Sequence, residues 1–438
     1  MRVSTRAGAV VCGIAALALV SAGCSGGSNS GSSGGSGNGA ITIDGSEPQN
    51  PLVPGNTNET GGGNVVDAIF AKLVRYAPKD SKPENEMADS ITTKDSKVYT
   101  IKFKKGWKFS DGTEVKTKNF IDAWNWVAYA PNGALDASFF SQIQGYSDVN
   151  PDDPDGDGPK KAPAPKAPTM SGLKSLDDYS FQVTLNAPFS VFPIELGYTA
   201  FAPLPDVFFK DPKGFGQKPV GNGPFKFVSW EHKSSIKITR NDDYPLAKPK
   251  VKDVTFKLYQ SLDTAYADLT SNNLDFLETI PTADLVGEKW KSDLGTRALQ
   301  RDVGVIQFVA FPLYDAQFKN PKLRQAISEA INRDEIVKSI FNNSRKPATG
   351  WVSPAVDGYS PGACGEFCTY NVQNAQALLK AAGGFTGKLT LAYNTNGGHK
   401  EWVEAACNSI TTALGIDCKP KAYTEFADFR TDITNKQM

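Results

Sequence analysis

Apolar and polar positions along this chain switch between a period of two and a period of 3.6. Ile101 and Phe103 point one way and Lys102 and Lys104 the other, which predicts a strand. Ser110-Asp111-Gly112 then supplies a turn, because Asp bonds its own backbone and Gly tolerates positive φ. Phe120, Ala123, Trp124 and Val127 follow at i, i+3, i+4 and i+7, a helical stripe that Thr117 is placed to cap. The same alternation predicts strands at Ala40–Asp44, Tyr179–Leu185, Pro219–Trp230, Val254–Leu258 and Lys388–Tyr393. Helical spacing predicts helices at Val65–Val74, Thr264–Asn272, Asn371–Gly383 and Trp402–Leu414, with a Leu274-Asp275 return after the second. Leu323, Ile327, Ala330, Ile336, Val337 and Ile340 read as core. Strands and helices alternate throughout, so the expected class is α/β.

The N-terminus has a different pattern. Arg2 and Arg6 precede an apolar run from Ala9 to Val20, then Ser21-Ala22-Gly23-Cys24. A spanning helix needs about 20 apolar residues, so this shorter run reads as a secretory signal peptide over residues 1–23. Small residues directly before Cys24 resemble a bacterial lipobox, which implies a lipidated Cys24 as first mature residue and a lipid anchor in the membrane. Residues 24–39 are almost pure Gly, Ser and Asn, a tether with a reach of about 20 Å. The expected location is extracytoplasmic, on the outer face of the cell membrane.

Composition narrows the chemistry. Lys+Arg and Asp+Glu balance at 47 each, so no long-range field recruits nucleic acid. With only two histidines, His232 and His399, an imidazole metal site is not expected. Beyond Cys12 and Cys24 remain Cys364, Cys368, Cys407 and Cys418, which allow three pairings. Local pairs Cys364–Cys368 and Cys407–Cys418 are favoured under export; a four-cysteine zinc site is the alternative, but a Cys-x10-Cys interval fits no common knuckle. Asp153 to Gly158 fits half of a calcium loop, yet its twelfth position is Ala164, so a surface insertion is the better reading. Gly358-Tyr359-Ser360-Pro361-Gly362 has the spacing of a hydrolase elbow, but Pro361 lacks the N–H an oxyanion would need. No enzyme is expected.

Four segments together resemble one family. They are Gly106-Trp107 with Phe109-Ser110-Asp111-Gly112-Thr113 and Trp124; Pro219 to Trp230 with Arg240 to Tyr244; Phe318, Arg324-Gln325-Ala326 and Ala330 to Arg333; and Asn371 to Gly383. In this order they are similar to the bacterial family-5 extracellular solute-binding proteins, the oligopeptide- and dipeptide-binding lipoproteins of ABC importers. The resemblance implies a two-lobe periplasmic-binding-protein-like fold of type II, cluster C, with an extra inserted domain. It would place 40–64 and 171–284 in lobe one, 65–170 in the inserted domain and 285–438 in an incomplete second lobe. Relatives run further, so the chain is expected to be C-terminally truncated and to bind peptide poorly.

What the resemblance implies of function is capture of a peptide ligand and delivery to permease subunits by a monomer, with no cofactor, no metal and no nucleic acid. Another solute (a nickel chelate, a haem, an oligosaccharide) or peptide sensing without transport are the alternatives. Family cleft segments point to Asn58, Glu59, Thr60 and Gly61 in the glycine-rich stretch Asn56–Gly63, and to Phe139, Asn222, Tyr314 and Trp351 as ligand-binding residues.

Overall fold

The computed structural model describes residues 39–153 and 163–438. Cys24, the signal and nearly all of the tether, together with Pro154–Gly158 of the Asp-rich loop, lie outside the described residues.

Two four-stranded sheets dominate the first part. In one, Ala40–Gly45 runs parallel to Asp253–Leu258, with Ile41 opposite Val254, and the antiparallel strands Ser235–Arg240 and Phe225–Glu231 complete the order. The other is antiparallel throughout: Ala88–Thr93, Val98–Phe103, Ser180–Thr184 and Leu173–Asp177. Its central pairing, Ile101 opposite Phe181, joins segments on either side of residue 170.

The alternating strand behaves as its pattern requires: Ile101 and Phe103 are buried while Lys102 and Lys104 are exposed. Helix Thr117–Ala128 then buries Phe120, Ala123, Trp124 and Val127. Thr117 is not its cap. The helix is closed one residue earlier, where the Asn119 carboxamide oxygen accepts from Lys116 N at 2.8 Å, and the Thr117 hydroxyl donates instead to Ser180 O. Around Trp124 stand Phe181 and Phe201, ring centroids 5.4 and 5.3 Å away, and its indole N–H donates to Phe201 O at 3.1 Å. Truncating such a residue to Ala costs about 3–5 kcal/mol. One core runs without interruption from Leu52 to Phe256.

Two further cores follow. Helix Leu262–Thr270 leaves the first sheet and packs with Trp290, Leu294 and Phe341. Strand Leu389–Asn394, helix Lys400–Leu414 and strand Cys418–Tyr423 form a parallel β-α-β unit against helices Pro321–Glu329 and Val372–Ala381. Asn371 caps the last of these by accepting from Asn374 N at 3.0 Å. The cysteine pairs sit at Cα separations of 5.8 Å (Cys364, Cys368) and 5.0 Å (Cys407, Cys418), within the span a disulfide bridges.

Candidate functional site

A cleft is built where the first sheet hands the chain to the later cores. The chain leaves at Tyr259–Ser261, returns so that Phe276 pairs beside Ile43, and leaves again. Phe276 N and Asp275 N donate to Thr42 O, and the Asp275 carboxylate accepts from Thr42 N and the Thr42 hydroxyl at 2.7 and 2.9 Å. Asp44 accepts from Glu278 N at 3.1 Å, and burial pushes its carboxyl up to about 6 against the pull of that hydrogen bond. Two thin strands crossing between packed bodies form the kind of connection that bends first.

On the first-sheet side of this gap, the Glu47 carboxylate holds His232 Nδ1 and Lys233 N, each at 2.7 Å. From the other side Glu425 reaches across: it accepts from Gln260 Nε2 at 3.2 Å and lies 3.8 Å from Lys233 Nζ. Glu47, Lys233, Tyr259, Asn396 and Phe426 line the small cavity between. Tyr259 is fixed there by donating to the Asp268 carboxylate at 2.6 Å.

Glu59 faces the same gap. The expected helix at Val65 begins earlier, at Thr60, because the Glu59 carboxylate accepts from Gly62 N at 3.0 Å and caps it; it ends at Ile69. Gly61 and Gly62 are required by contact: a Cβ would stand 2.5 Å from Ser46 O and 2.5 Å from the Glu59 carboxylate, respectively. Burial raises the Glu59 carboxyl above its ordinary range, and the N–H groups of Gly62, Gln49 and Gly61 and the charge of Arg430 oppose the rise. Arg430 belongs to helix Phe426–Thr434, so that helix comes near enough for its positive charge to act weakly on Glu59.

The sequence-derived residues are distributed unevenly. Asn58 on the loop before helix Thr60–Ile69 and Thr60 at its start are exposed on either side of Glu59, and Gly61 is buried. Phe139 is half-buried and stacked on Tyr198 at 4.2 Å. Asn222 is 1% exposed under the end of the same helix: its carboxamide accepts from Ala71 N at 3.1 Å and donates to Ala71 O and the Met87 sulfur at 3.2 Å each. Tyr314 is exposed and its hydroxyl accepts from Met438 N, while Trp351 is 76% exposed. Gln260, Glu425 and Arg430 went unread, since nothing in their local spacing marks them and only the fold carries them to the gap. Ser360 lies in an irregular stretch between turns, with no strand leading into it and no α-helix leading out. His399 is instead held by Gln307 Nε2 and Trp402 Nε1, 2.7 and 3.3 Å from its Nδ1.

Comparison with known proteins agrees with this architecture. Oligopeptide-binding protein OppA of Bacillus subtilis is 27% identical over 384 residues, covering 84% of this chain and 67% of the relative. Dipeptide-binding protein DppE of the same organism is 29% identical, with 81% and 64% covered. A glutathione-binding protein GsiB of Pectobacterium atrosepticum is 26% identical, with 78% and 62% covered. The chain therefore spans about two thirds of the length of these curated relatives, 62–67%. Among solved structures, the Escherichia coli murein tripeptide binding protein MppA superposes with a TM-score of 0.77 at 20% identity, covering 90% of this chain and 77% of that one. Haemophilus influenzae OppA in complex with RPPGFSPFR gives 0.75 at 23%, with the same coverage. The fold is thus that of periplasmic oligopeptide-binding proteins. The model of the bacterial extracellular solute-binding proteins, family 5 (middle), matches residues 82–438, most of the chain, and the protein belongs to that family.

Proposed function

We propose that this protein is the substrate-binding component of an ABC importer and captures peptides in the cleft between loop 46–59 and helix Phe426–Thr434. The observation that carries the reading is the family match over residues 82–438, and the cleft is taken at the gap that Glu425 crosses to Gln260 and Lys233 beside the Ile43–Phe276 bridge. Relatives named for oligopeptides and dipeptides support peptide as the ligand class. Extended peptide main chain is held by backbone hydrogen bonds, and water fills the side-chain pockets. Ligand stabilises the closed arrangement because only that arrangement touches it from both sides. A micromolar ligand contributes about 8 kcal/mol toward closure.

In this reading Asn58–Gly61 and Phe139 lie on the ligand side with the exposed rings of Tyr314 and Trp351 as further contacts, and the buried Asn222 supports the loop from beneath. Lobe one comprises 40–64 and the remainder of 171–284. The inserted part, 65–170, continues through the pairing of Ser180–Thr184 with Val98–Phe103. Residues 285–438 supply the second lobe. A lipidated Cys24 anchors a monomer outside the cell, both cysteine pairs are oxidised there, and the protein grips its ligand without reacting.

Native mass spectrometry of the protein purified from its own membrane fraction tests this. Cargo masses should resolve into peptides and exchange with added peptide. Cargo of another class, or the absence of thermal protection by any peptide at millimolar concentration, would overturn the reading.

A further inference from the structure

Two carboxylates near the cleft loop, Asp136 buried and Glu195 half-buried, each have one oxygen that is shut off from water and has no hydrogen-bond partner among the described residues. Asp136 is only 2% exposed, and its Oδ2 makes no hydrogen bond; the Oε2 of Glu195 is buried and equally unpartnered. Desolvation is the single cause that raises each of them, Asp136 to about 6, and no charged group among the described residues offsets it. An ionised carboxylate taken from water without a counter-charge is costly, so such a pair calls for a positive group.

The backbone ties this place to the cleft loop. Asp136 N donates to Gly55 O at 3.0 Å, and Leu135 N donates to the Asn56 side chain at 3.2 Å. A stacked aromatic pair links the turns that carry the two acids. Phe139, three residues on from Asp136, stacks on Tyr198 with ring centroids 4.2 Å apart and planes 14° from parallel. Tyr198 follows Glu195 in the same turn, its N–H donating to Glu195 O at 2.9 Å. Tyr76 closes the far side, its hydroxyl donating to Ile194 O at 2.8 Å. The charges are felt here: burial raises both phenols, Asp136 adds to the rise at Tyr198, and Glu195 adds to it at Tyr76.

We infer that Asp136 and Glu195, with the Phe139–Tyr198 stack and Tyr76, form a subsite for a guanidinium side chain of the bound ligand. A metal ion is a poorer occupant, because among the described residues no three acidic, histidine or cysteine side chains converge. Aromatic faces beside unpaired carboxylates suit a flat organic cation, which stacks on rings and donates to carboxylate oxygens at once. The inference rests on the peptide-binding reading for its ligand but not for its chemistry.

The test uses the full chain and alanine tetrapeptides carrying arginine or its neutral isostere citrulline at each position in turn, measured by titration calorimetry at pH 7.5. At one position arginine should bind at least tenfold more tightly than citrulline. Asp136→Asn should reduce that preference below about threefold, with Glu195→Gln acting in the same direction. Equal binding of the two series, or a preference that survives Asp136→Asn, overturns the subsite and leaves peptide capture standing. If no peptide binds, agmatine separates the two claims. Thermal protection of the wild type but not of Asp136→Asn upholds the subsite while peptide capture fails; no protection overturns the subsite too.

Discussion

Asn222→Ala should lower stability by about 3 kcal/mol while leaving ligand affinity within about twofold. The side chain answers both backbone groups of Ala71, accepting from its N–H at 3.1 Å and donating to its carbonyl at 3.2 Å. Ala71 is fully buried, so water cannot take over either bond. Each of the two backbone groups left unpaired costs about 1–3 kcal/mol, giving about 2–6 kcal/mol before relaxation. Asn222→Thr, which keeps one hydroxyl, should lose roughly half as much. Urea unfolding followed by tryptophan fluorescence reads this directly. With a slope near about 3 kcal/mol/M, the alanine variant's midpoint should fall by about 1 M with the slope unchanged. A midpoint shift under about 0.3 M would refute the clasp. A tenfold loss of peptide affinity at unchanged stability would refute it differently, by making Asn222 a ligand contact.

Other outcomes follow from the same geometry. A carboxyl raised from 3.8 to about 6 contributes stability that is complete below its unfolded value and is lost as pH rises through about 6. Asp136→Asn should therefore remove about 1–3 kcal/mol of the decline between pH 4.5 and 7.5, and parallel urea midpoints for the two proteins would contradict this. Gly221→Ala places a Cβ 1.9 Å from Ile69 O, a backbone atom that cannot swing aside. Soluble yield and melting temperature should collapse, and a melting temperature within about 3 °C of wild type would show that the turn yields. Replacing Cys407 and Cys418 together with Ser should cost about 2–3 kcal/mol, because the bond closes a short loop of separation 11. Unchanged unfolding of that variant, or free thiols in the exported protein, would show that the pair is not bonded.

Much of the fold was legible because burial acts through spacing. Ile101, Phe103, Phe120 and Trp124 went to the core as their periods required. Strand Leu389–Asn394 and helix Lys400–Leu414 of the β-α-β unit fell within about two residues of expectation. Cap chemistry was less legible. Thr117 looked like a cap, yet its hydroxyl is drawn to Ser180 O across the sheet, a partner 63 positions away. Glu59 looked like one member of a polar loop, and proves to start a helix five residues early by gathering N–H groups from Gly62 and Gln49.

Two of the motifs that carry the family resemblance meet in space: Ser110 N donates to Gly221 O at 2.7 Å, and Trp107 packs edge-on to Tyr244 at 5.4 Å. Those residues hold the body together, so their pattern is readable without knowing any ligand. Sequence by itself settled the class, the family and which faces are buried, because hydrophobic period and turn chemistry are local properties. Only the tertiary structure decided which charges face the gap. Glu59 and Arg430, or Asp136 and Tyr198, lie far apart along the chain, and no local rule couples them until the sheets and the crossing strands fix where each one points.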